Sequence, residues 1–365
     1  MRVGVPKEIK NHEYRVGLTP LSVAELTGAG HEVIVETMAG MGIDFDDQAY
    51  LKAGARIAPD AASTFAQADM IVKVKEPQPQ EIALLESRHL LFTYLHLAPD
   101  PEQTQGLMKS GATCIAYETV TARDGSLPLL KPMSEVAGRM SVQVGAHYLE
   151  KEQGGRGVLL GGVPGVAPAR VAILGGGVSG VNAAQMAVGM RADVTIYDIS
   201  NARLAELDMF FGSQIKTAYA SKAAIAAAVA NAHLVIGAVL VPGAAAPKLV
   251  TRDMLKTMKR GSVLVDIAID QGGCFETSRP TTHDNPVFVV DDVIHYCVAN
   301  MPGAVARTSA FALNNATLPF VLKLANHGAD AAMAADPHLA AGLNVMGGKV
   351  RHQAVAEALG LPFAA

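Results

Sequence analysis

Three glycines are spaced as G-x-G-x-x-G in the segment GGGVSG at 175–180, between an apolar run and an alanine-rich run. In this context the spacing predicts the strand-to-helix turn that binds the pyrophosphate of a dinucleotide. Gly175 permits the tight turn, Gly177 lets the backbone approach the phosphates, and Gly180 lets the helix pack closely on the strand. Val178 lies in the same loop, at the helix N-terminus, where phosphate charge is favoured.

The carboxylate of Asp198 follows the next apolar run, at 194–197, where a ribose-binding acid belongs. A glycine turn in another kind of α/β sheet would not require an acid there, so the two features together predict a dinucleotide-binding βαβ unit. The charge of Asp198 would repel a 2′-phosphate, which favours NAD over NADP. Arg203 is close in sequence and weakens that preference.

Four further residues follow apolar runs, at predicted strand ends, where α/β sheets bind their ligands. The guanidinium of Arg15 suits bidentate binding of a carboxylate, and the ammonium of Lys75 suits holding a carboxylate or carbonyl oxygen. His96 suits proton transfer, because histidine is the residue type whose unperturbed side chain titrates near neutral pH. The carboxylate of Asp270 could bind ribose or assist catalysis.

Several of these candidates also have a purely structural interpretation. Arg15 could be a solvated loop arginine, and Lys75 an exposed lysine at a strand end. Asp266, four residues before Asp270, could be a buried acid whose hydrogen bonds are satisfied. The turn at 297–303 could contact the nicotinamide or its ribose, or only cross between domains.

At 365 residues the chain is long enough for two domains, each with its own core. Hydrophobic residues make up 50% of it, but glycine, proline and charged residues interrupt every apolar run before it reaches the length of a membrane span. A net charge of -4 offers no basic face for nucleic acid, which favours a small-molecule substrate. Three widely spaced cysteines indicate reduced thiols, and the first residues form no secretion leader. We therefore expect a cytoplasmic protein without a membrane partner.

Strand-like and helix-like runs alternate along the chain, which predicts an α/β fold of two Rossmann-like domains with parallel sheets and an active-site cleft between them. The expected strands lie at 2–5, 32–35, 70–74, 90–95, 113–117, 171–174, 194–197, 234–237, 262–266 and 287–290. We expect helices at 134–151 and 309–327, then an alanine-rich helical tail that packs on the first domain. The expected domains are a discontinuous substrate domain at 1–128 plus 307–365, and an NAD-binding domain at 129–306.

Several blocks of sequence together resemble the alanine dehydrogenase family over essentially the whole chain. The blocks are MRVGVPKE at 1–8, the segment around Arg15, YLHLA at 94–98, PMSEVAGR at 132–139, GAVLVPG at 237–243, DIAIDQGG at 266–273 and VANMPG at 298–303. Chance agreement at this many spaced positions is implausible.

The resemblance implies an NAD-dependent enzyme that reversibly deaminates L-alanine to pyruvate and ammonium, as a homohexamer of two-domain subunits. It implies that Arg15 and Lys75 bind the substrate, that His96 moves the proton, and that Asp270 shares that work and stabilises cationic intermediates. It also implies that Arg203 lies near the adenosine. The other residues that it assigns to the cofactor pocket are Ser134, Val239, Leu240, Ile267, Val298, Asn300 and Met301.

Two positions depart from the family pattern. Ala220 stands where the family often carries a pocket serine, and the adjacent Ser221 is the candidate to replace it. His327 in the late helix has Lys323 one turn before it, and an ammonium group cannot ligate a metal. We therefore expect no metal requirement.

Two alternatives of other classes stay open. One is the NAD(H)-binding module of a proton-translocating transhydrogenase, which shares the fold and several blocks. Such a module has less need of Arg15, Lys75, His96 and Asp270 together. The other is a related dehydrogenase that reduces a keto acid to a hydroxy acid or, as a saccharopine-type enzyme does, acts on a larger amine. The sequence also leaves open glyoxylate, 2-oxobutyrate or a bulkier keto acid as minor substrates.

Overall fold

The computed structural model describes residues 1–239 and 246–364. The chain divides into two compact units, which we call unit 1 (Met1–Met133 with Val305–Ala365) and unit 2 (Ser134–Ala304). Each unit contains one mostly parallel sheet. The prediction of an α/β fold with two Rossmann-like halves is therefore confirmed.

The strands alternate with helices along most of the chain. In chain order the strands are β1 (Arg2–Val5), β2 (Glu32–Glu36), β3 (Arg56–Ala58), β4 (Met70–Val72), β5 (Leu90–Thr93), β6 (Thr113–Ala116), β7 (Arg170–Leu174), β8 (Asp193–Asp198), β9 (Lys216–Tyr219), β10 (Leu234–Gly237), β11 (Val263–Asp266), β12 (Val287–Val290), β13 (Val293–Tyr296), β14 (Leu343–Met346) and β15 (Lys349–Val350). The helices are α1 (Pro20–Gly28), α2 (Asp47–Lys52), α3 (Ala61–Gln67), α4 (Pro79–Ile82), α5 (Pro101–Ser110), α6 (Lys131–Tyr148), α7 (Val178–Gly189), α8 (Asn201–Phe211), α9 (Lys222–Asn231), α10 (Arg252–Leu255), α11 (Ala306–His327), α12 (Ala329–Ala335), α13 (Pro337–Ala340) and α14 (Gln353–Leu359). In the two described ranges, no helix is both long and apolar enough to cross a bilayer.

The sheet of unit 1 has the order β15-β14-β6-β5-β4-β1-β2-β3. From β6 to β3 all neighbours are parallel. Strands β4 and β5 are buried at every position, as expected of a parallel sheet that is covered on both faces. The carboxyl ends of β6, β5, β4 and β1 therefore lie side by side along one edge, where the chain turns to the candidate site residues.

The prediction that the C-terminal tail is entirely helical is wrong, because the tail also contains two strands. Strand β14 pairs antiparallel with β6, and β15 pairs antiparallel with β14. Gly347 and Gly348 connect them with φ of 58° and 73°, the left-handed conformation that a two-residue hairpin turn requires. The alanine-rich composition of the tail hid this hairpin. Val345 and Val350 pack into a cluster of buried unit 1 residues, so the tail belongs to the core of unit 1.

The sheet of unit 2 has the order β12-β13-β11-β10-β7-β8-β9. The expected strand at 287–290 is present, but as an antiparallel edge strand paired with β13 rather than as part of the parallel set. Asp291 and Asp292 form the tight turn between β12 and β13, with φ of 49° and 61°. The sequence analysis missed β13 and also β9, whose residues are only partly buried. Parallel pairing runs from β13 through β11, β10, β7 and β8 to β9.

Candidate active site

The substrate-binding candidates of unit 1 follow three neighbouring strands. Lys75 and His96 lie three residues beyond the ends of β4 and β5, and Arg15 lies in the longer loop after β1, ten residues beyond the strand end. The loop that carries Arg15 runs directly against the end of β4, because a Cβ added to Gly17 would lie 2.3 Å from the carbonyl oxygen of Val72. Parallel order thus places all three residues on one edge of a single sheet.

Arg15 is a buried arginine and not a solvated loop residue, with 2% of its surface exposed. Its Nε and Nη2 donate to the two carboxylate oxygens of Glu13, at 2.7 and 2.6 Å, and its Nη1 lies 2.9 Å from the sulfur of Met133. Burial alone would lower the pKa of Arg15, but hydrogen bonding and charge from Glu13 raise it above its ordinary value. One edge of the guanidinium is therefore fixed by a buried carboxylate in advance of any substrate.

Lys75 lies beside a second carboxylate. Its ammonium is 3.9 Å from Oε2 of Glu76, and both side chains are largely buried. Lys10 bonds to the other oxygen of Glu76. Burial would raise the pKa of Glu76, but Lys75 and Lys10 lower it below its ordinary value, so this acid is ionised at neutral pH.

Lys73, two residues before Lys75, is fully buried between two acids. Its ammonium lies 3.1 Å from Glu8 and 2.7 Å from Glu81. The second oxygen of Glu8 accepts a hydrogen bond from Val74 N–H at 2.7 Å. This buried ion cluster of Lys73, Glu8 and Glu81 connects the loop after β1 to the segment after β4. It therefore holds the backbone that carries Lys75 in place.

His96 occupies a strained turn just beyond β5. Its φ is 50°, in the left-handed region that residues with a side chain rarely adopt. Its ring stacks on Tyr94, with centroids 5.8 Å apart and planes within 8°. The side chain is 42% exposed, so the imidazole can be reached by a ligand.

Glu118, in the turn after β6, holds this turn. Its carboxylate accepts hydrogen bonds from the backbone N–H groups of Leu95 at 3.2 Å and His96 at 2.6 Å. Sequence analysis missed Glu118 and Glu13. The rule that selected His96, a titratable residue at a strand end, also applies to Glu118. For Glu13 the only signal in the sequence is its position two residues before Arg15.

The glycine loop of unit 2 has the geometry that its sequence predicts. Gly175 has φ of 104°, and a Cβ on it would lie 2.7 Å from the carbonyl oxygen of Ala238. A Cβ on Gly180 would lie 1.9 Å from the carbonyl oxygen of Gly175, so helix α7 approaches β7 as closely as its backbone allows. A Cβ on Gly177 would meet no atom within 4 Å, so the space above Gly177, at the N-terminus of α7, is open. Val178 is the first residue of that helix.

Asp198 ends β8 and contacts the glycine loop. Its carboxylate accepts hydrogen bonds from Gly176 N–H at 2.7 Å and from Ser200 N–H at 2.8 Å. Arg203 lies on the same side, where its Nε donates to the carbonyl oxygen of Gly176 at 2.8 Å and its Nη1 lies 2.6 Å from Glu206. The acid and the arginine thus flank the loop at the site expected for the adenosine ribose.

Two other pocket candidates also adjoin the glycine loop. The carbonyl oxygen of Ser134 accepts a hydrogen bond from Ser179 Oγ at 3.0 Å, in the first turn of α7. Val239 follows β10, and a Cβ on Gly175 would lie 3.1 Å from its Cγ2. Leu240 lies outside the described residues.

Strand β11 ends at Asp266, where the sequence predicts its end. Asp266 is fully buried and accepts hydrogen bonds from Ala268 N–H and Cys274 N–H, at 3.1 and 2.9 Å, and from Ser278 Oγ. It is the satisfied structural acid that the sequence left as an alternative. Asp270 instead lies in a 3-10 helix at Ile267–Gln271, where its side chain is exposed and Ile267 is partly buried.

The turn after β13 contains three candidates. Val298 is buried and forms an isolated bridge with Thr281, and Met301 is 3% exposed. Asn300 has φ of 64°, and its carbonyl oxygen accepts a hydrogen bond from Gly303 N–H at 2.9 Å. Asparagine tolerates the left-handed conformation that this turn needs.

Ser221 caps helix α9, where its Oγ accepts a hydrogen bond from Ala224 N–H at 3.2 Å. The nitrogen of Ala220 donates to the carbonyl oxygen of Asp198, so this segment adjoins the end of β8. Within the described ranges, no group of three or more His, Cys, Asp or Glu residues could hold a metal ion. Lys323 is ion-paired with Asp336 at 2.5 Å.

The cofactor candidates of unit 2 follow five neighbouring parallel strands. The glycine loop follows β7, Asp198 is the last residue of β8, and Val239, Asp270 and Asn300 follow β10, β11 and β13. A helix N-terminus with open space above it, next to a carboxylate, fits a dinucleotide. The residues present therefore fit the cofactor that the sequence implies.

The chain is similar to known proteins over almost its whole length. Models of the alanine dehydrogenase/PNT N-terminal and C-terminal domains match residues 4–137 and 141–353. The alanine dehydrogenase of Halomonas elongata is 62% identical over 363 residues, which is 100% of this chain and 98% of that protein. A solved L-alanine dehydrogenase structure is 55% identical, with a TM-score of 0.96 over 99% of both chains. A transhydrogenase structure from Sinorhizobium meliloti is 28% identical, with a TM-score of 0.83 over 97% of this chain and 100% of that one. This chain belongs to the alanine dehydrogenase/PNT family.

Proposed function

We propose that this protein is an NAD-dependent alanine dehydrogenase. The reaction converts L-alanine, NAD⁺ and water into pyruvate, ammonium, NADH and one proton, and it is reversible. The observation that carries the proposal is that Arg15, Lys75 and His96 lie in the segments that follow three neighbouring parallel strands of unit 1, in a chain 62% identical to an alanine dehydrogenase.

Arg15 and Lys75 bind the substrate. Glu13 occupies Nε and Nη2 of Arg15, which orients the guanidinium before a carboxylate arrives. Lys75 binds the carbonyl oxygen of pyruvate, and the carboxylate of Glu76, 3.9 Å from its ammonium, helps to hold that ammonium in place. Holding the substrate at two points fixes its α-carbon, which lowers the entropic part of the barrier.

His96 and Asp270 handle protons and charge. When bound, the nicotinamide supplies the hydride acceptor for the α-hydrogen of alanine. Loss of that hydride leaves an iminium on the substrate, to which water adds before the carbinolamine releases ammonia. His96 takes a proton from the attacking water and returns one to the leaving nitrogen. Asp270 shares this work, and its carboxylate stabilises the cationic intermediate.

The glycine loop and Asp198 make NAD the proposed cofactor in preference to NADP. Gly177 and Gly180 let the pyrophosphate reach the N-terminus of α7, and Asp198 accepts from the ribose hydroxyls. Arg203 is already engaged with Glu206 and the Gly176 carbonyl, which makes it less available to a 2′-phosphate. Ser134, Val239, Leu240, Ile267, Val298, Asn300 and Met301 complete the proposed pocket.

The transhydrogenase module is the less favoured alternative. The transhydrogenase structure is 28% identical to this chain, compared with 55% for the L-alanine dehydrogenase structure. The buried Glu13–Arg15 pair and the ion cluster around Lys73 build a carboxylate site that a nucleotide-binding module would not need. A hydroxy acid dehydrogenase could use the same cations, so ammonium dependence must separate the two chemistries.

The family resemblance supports a homohexamer as the proposed assembly, and the cysteines support the cytoplasm as the proposed location. We expect a homohexamer, which light scattering of the purified protein can test. The three cysteines are free and buried, as suits the reducing cytoplasm.

The deciding experiment is NADH oxidation by the purified protein with pyruvate, with and without ammonium. Alanine dehydrogenase activity requires ammonium strictly. Activity without it would indicate a lactate-forming enzyme. Tight NADH binding without turnover would favour the transhydrogenase-like module or another keto acid.

A further inference from the structure

The turn that carries His96 is anchored from two sides. Gln103 Nε2 donates to the carbonyl oxygen of Leu95 at 2.8 Å. Glu118 accepts from the N–H groups of Leu95 and His96, and the shorter of these hydrogen bonds, at 2.6 Å, goes to His96 itself. Because the left-handed φ of His96 is unfavourable for a residue with a side chain, these bonds offset that cost and hold the backbone turn from which the imidazole projects.

Glu118 also faces the imidazole ring. Its Oε1 lies 4.0 Å from Nδ1 of His96, and only 14% of the Glu118 side chain is exposed. The ring itself stacks on Tyr94, a buried residue whose hydroxyl donates to the carbonyl oxygen of Leu129. A carboxylate at this distance favours the positively charged form of a histidine, and partial burial limits screening by solvent.

We infer that Glu118 is a positioning residue for His96, which holds the imidazole in its working orientation and stabilises the charged form that exists while the proton is in transit. This inference rests on the proposed function, in which His96 moves that proton. Glu118 lies next to the residue that reacts and acts through it, so its effect should appear in pH dependence as well as in rate.

The effect of Glu118 on His96 must be distinguished from the effects of the other titratable or charged groups around the turn. Tyr94 stacks on the ring, and burial raises the pKa of its hydroxyl, so it stays neutral across the working range. Arg15 is close enough for its charge to act on Tyr94. His352 caps helix α14, and burial lowers its pKa while the charge of Glu118 opposes that shift. His352 is therefore the group most easily mistaken for His96 in a titration.

The first test needs no catalysis. Diethyl pyrocarbonate modifies neutral imidazole, and mass spectrometry of the peptide that contains His96 gives the modification rate as a function of pH. In Glu118→Gln the amide oxygen can still accept from His96 N–H, but the negative charge is gone. We expect the midpoint of the rate curve to move about half to one pH unit lower in this variant. Glu118→Asp keeps the charge and should restore most of the wild-type midpoint.

The second test is kinetic. The acidic limb of kcat/KM for L-alanine should move in the same direction in Glu118→Gln, and kcat should fall about 10-fold. Glu36→Gln is the matched control, because Glu36 is the last residue of β2 in the same sheet and also accepts a backbone hydrogen bond, from Lys7 N–H. This control should leave both pH curves unchanged.

The outcomes separate the two claims. An unchanged modification curve in Glu118→Gln would overturn the role of Glu118, whatever the activity. A shifted modification curve in a protein that does not oxidise L-alanine would keep the coupling between Glu118 and His96 while refuting the proposed function. If the kinetic shift disappeared when Glu118→Gln was combined with His352→Gln, the limb would belong to His352 and the inference would be wrong.

Discussion

At the scale of single residues, the candidate substrate site is built from cations that are already paired with acids. Arg15 with Glu13, Lys75 with Glu76 and Lys73 with Glu8 are all buried or largely buried. A buried ion pair contributes little to the net free energy of unfolding. Separating the two side chains would leave a buried charge without its partner, so the pair holds both side chains in one geometry. The expected gain is a site whose donors need little reorganisation when the substrate carboxylate binds.

Glu13 should therefore control substrate affinity without touching the substrate. In Glu13→Gln the guanidinium of Arg15 loses a charged partner on one edge, and we expect the KM for pyruvate to rise about 10-fold with a smaller change in kcat. Steady-state kinetics at saturating NADH and ammonium measure both. Arg15→Lys, which keeps the charge but loses the planar fork, should be affected at least as strongly. A wild-type KM in Glu13→Gln would refute this role.

His96 should affect turnover and not cofactor affinity. We expect His96→Ala to lower kcat by about 10²- to 10⁴-fold, because the proton transfers lose their general base, while the Kd for NADH stays near normal. Fluorescence titration with NADH supplies the control on folding and binding. Full turnover in this variant would exclude His96 from the chemistry.

Asp198 should select the cofactor. Removing its charge in Asp198→Ala eliminates the acceptor for the ribose hydroxyls and the repulsion of a 2′-phosphate. NADH should bind about 10-fold more weakly, and the preference for NADH over NADPH should shrink. Competitive titration with both cofactors measures the ratio. An unaltered preference would show that another acid makes the choice.

At the scale of elements, much of the arrangement could be predicted, because strand ends in parallel sheets gather on one edge. The strands before Lys75 and His96 are continuous apolar runs, so the residues that follow them were identifiable without a structure. The pairs that support them were not, because Glu118 reaches His96 across 22 residues and Lys73 reaches Glu8 across 65. Such contacts depend on sheet order. Hairpin β14–β15 was missed because its two-glycine turn lies within an alanine-rich tail.

Two glycines of the loop after β7 provide a matched test of cofactor binding. Gly177 has an ordinary φ of -70° and open space at its Cβ position, so Gly177→Ala should fold with a near-normal Tm yet bind NADH at least about 10-fold more weakly. Gly180→Ala forces a Cβ against the Gly175 carbonyl and should lower the Tm by several degrees. Thermal unfolding and NADH titration on both variants decide. Normal NADH affinity in Gly177→Ala would contradict the proposed phosphate site.

At the scale of the whole molecule, His233 should make the free energy of unfolding depend on pH in the acidic range. Burial, with the charges of Lys259, Arg156 and Arg170, lowers its pKa to about 4 from the ordinary 6.5. As the pH falls from 6.5 towards 4, the unfolded chain binds a proton before the folded one, so stability falls across that window. In His233→Gln the residue that takes up this proton is absent. Between pH 6.5 and pH 4 the Tm of this variant should therefore fall by about 2 to 4 °C less than the Tm of the wild-type protein. Calorimetry at a series of pH values measures the difference, and identical slopes would contradict the assignment.

The most direct test of the proposed reaction uses L-alanine deuterated at its α-carbon, with NAD⁺ and the purified protein. We expect the deuterium to move to the nicotinamide, and pyruvate, ammonium and reduced cofactor to form in equal amounts. Deuterium released to water, or no reduction of NAD⁺ by a protein that binds NADH tightly, would contradict the proposed reaction.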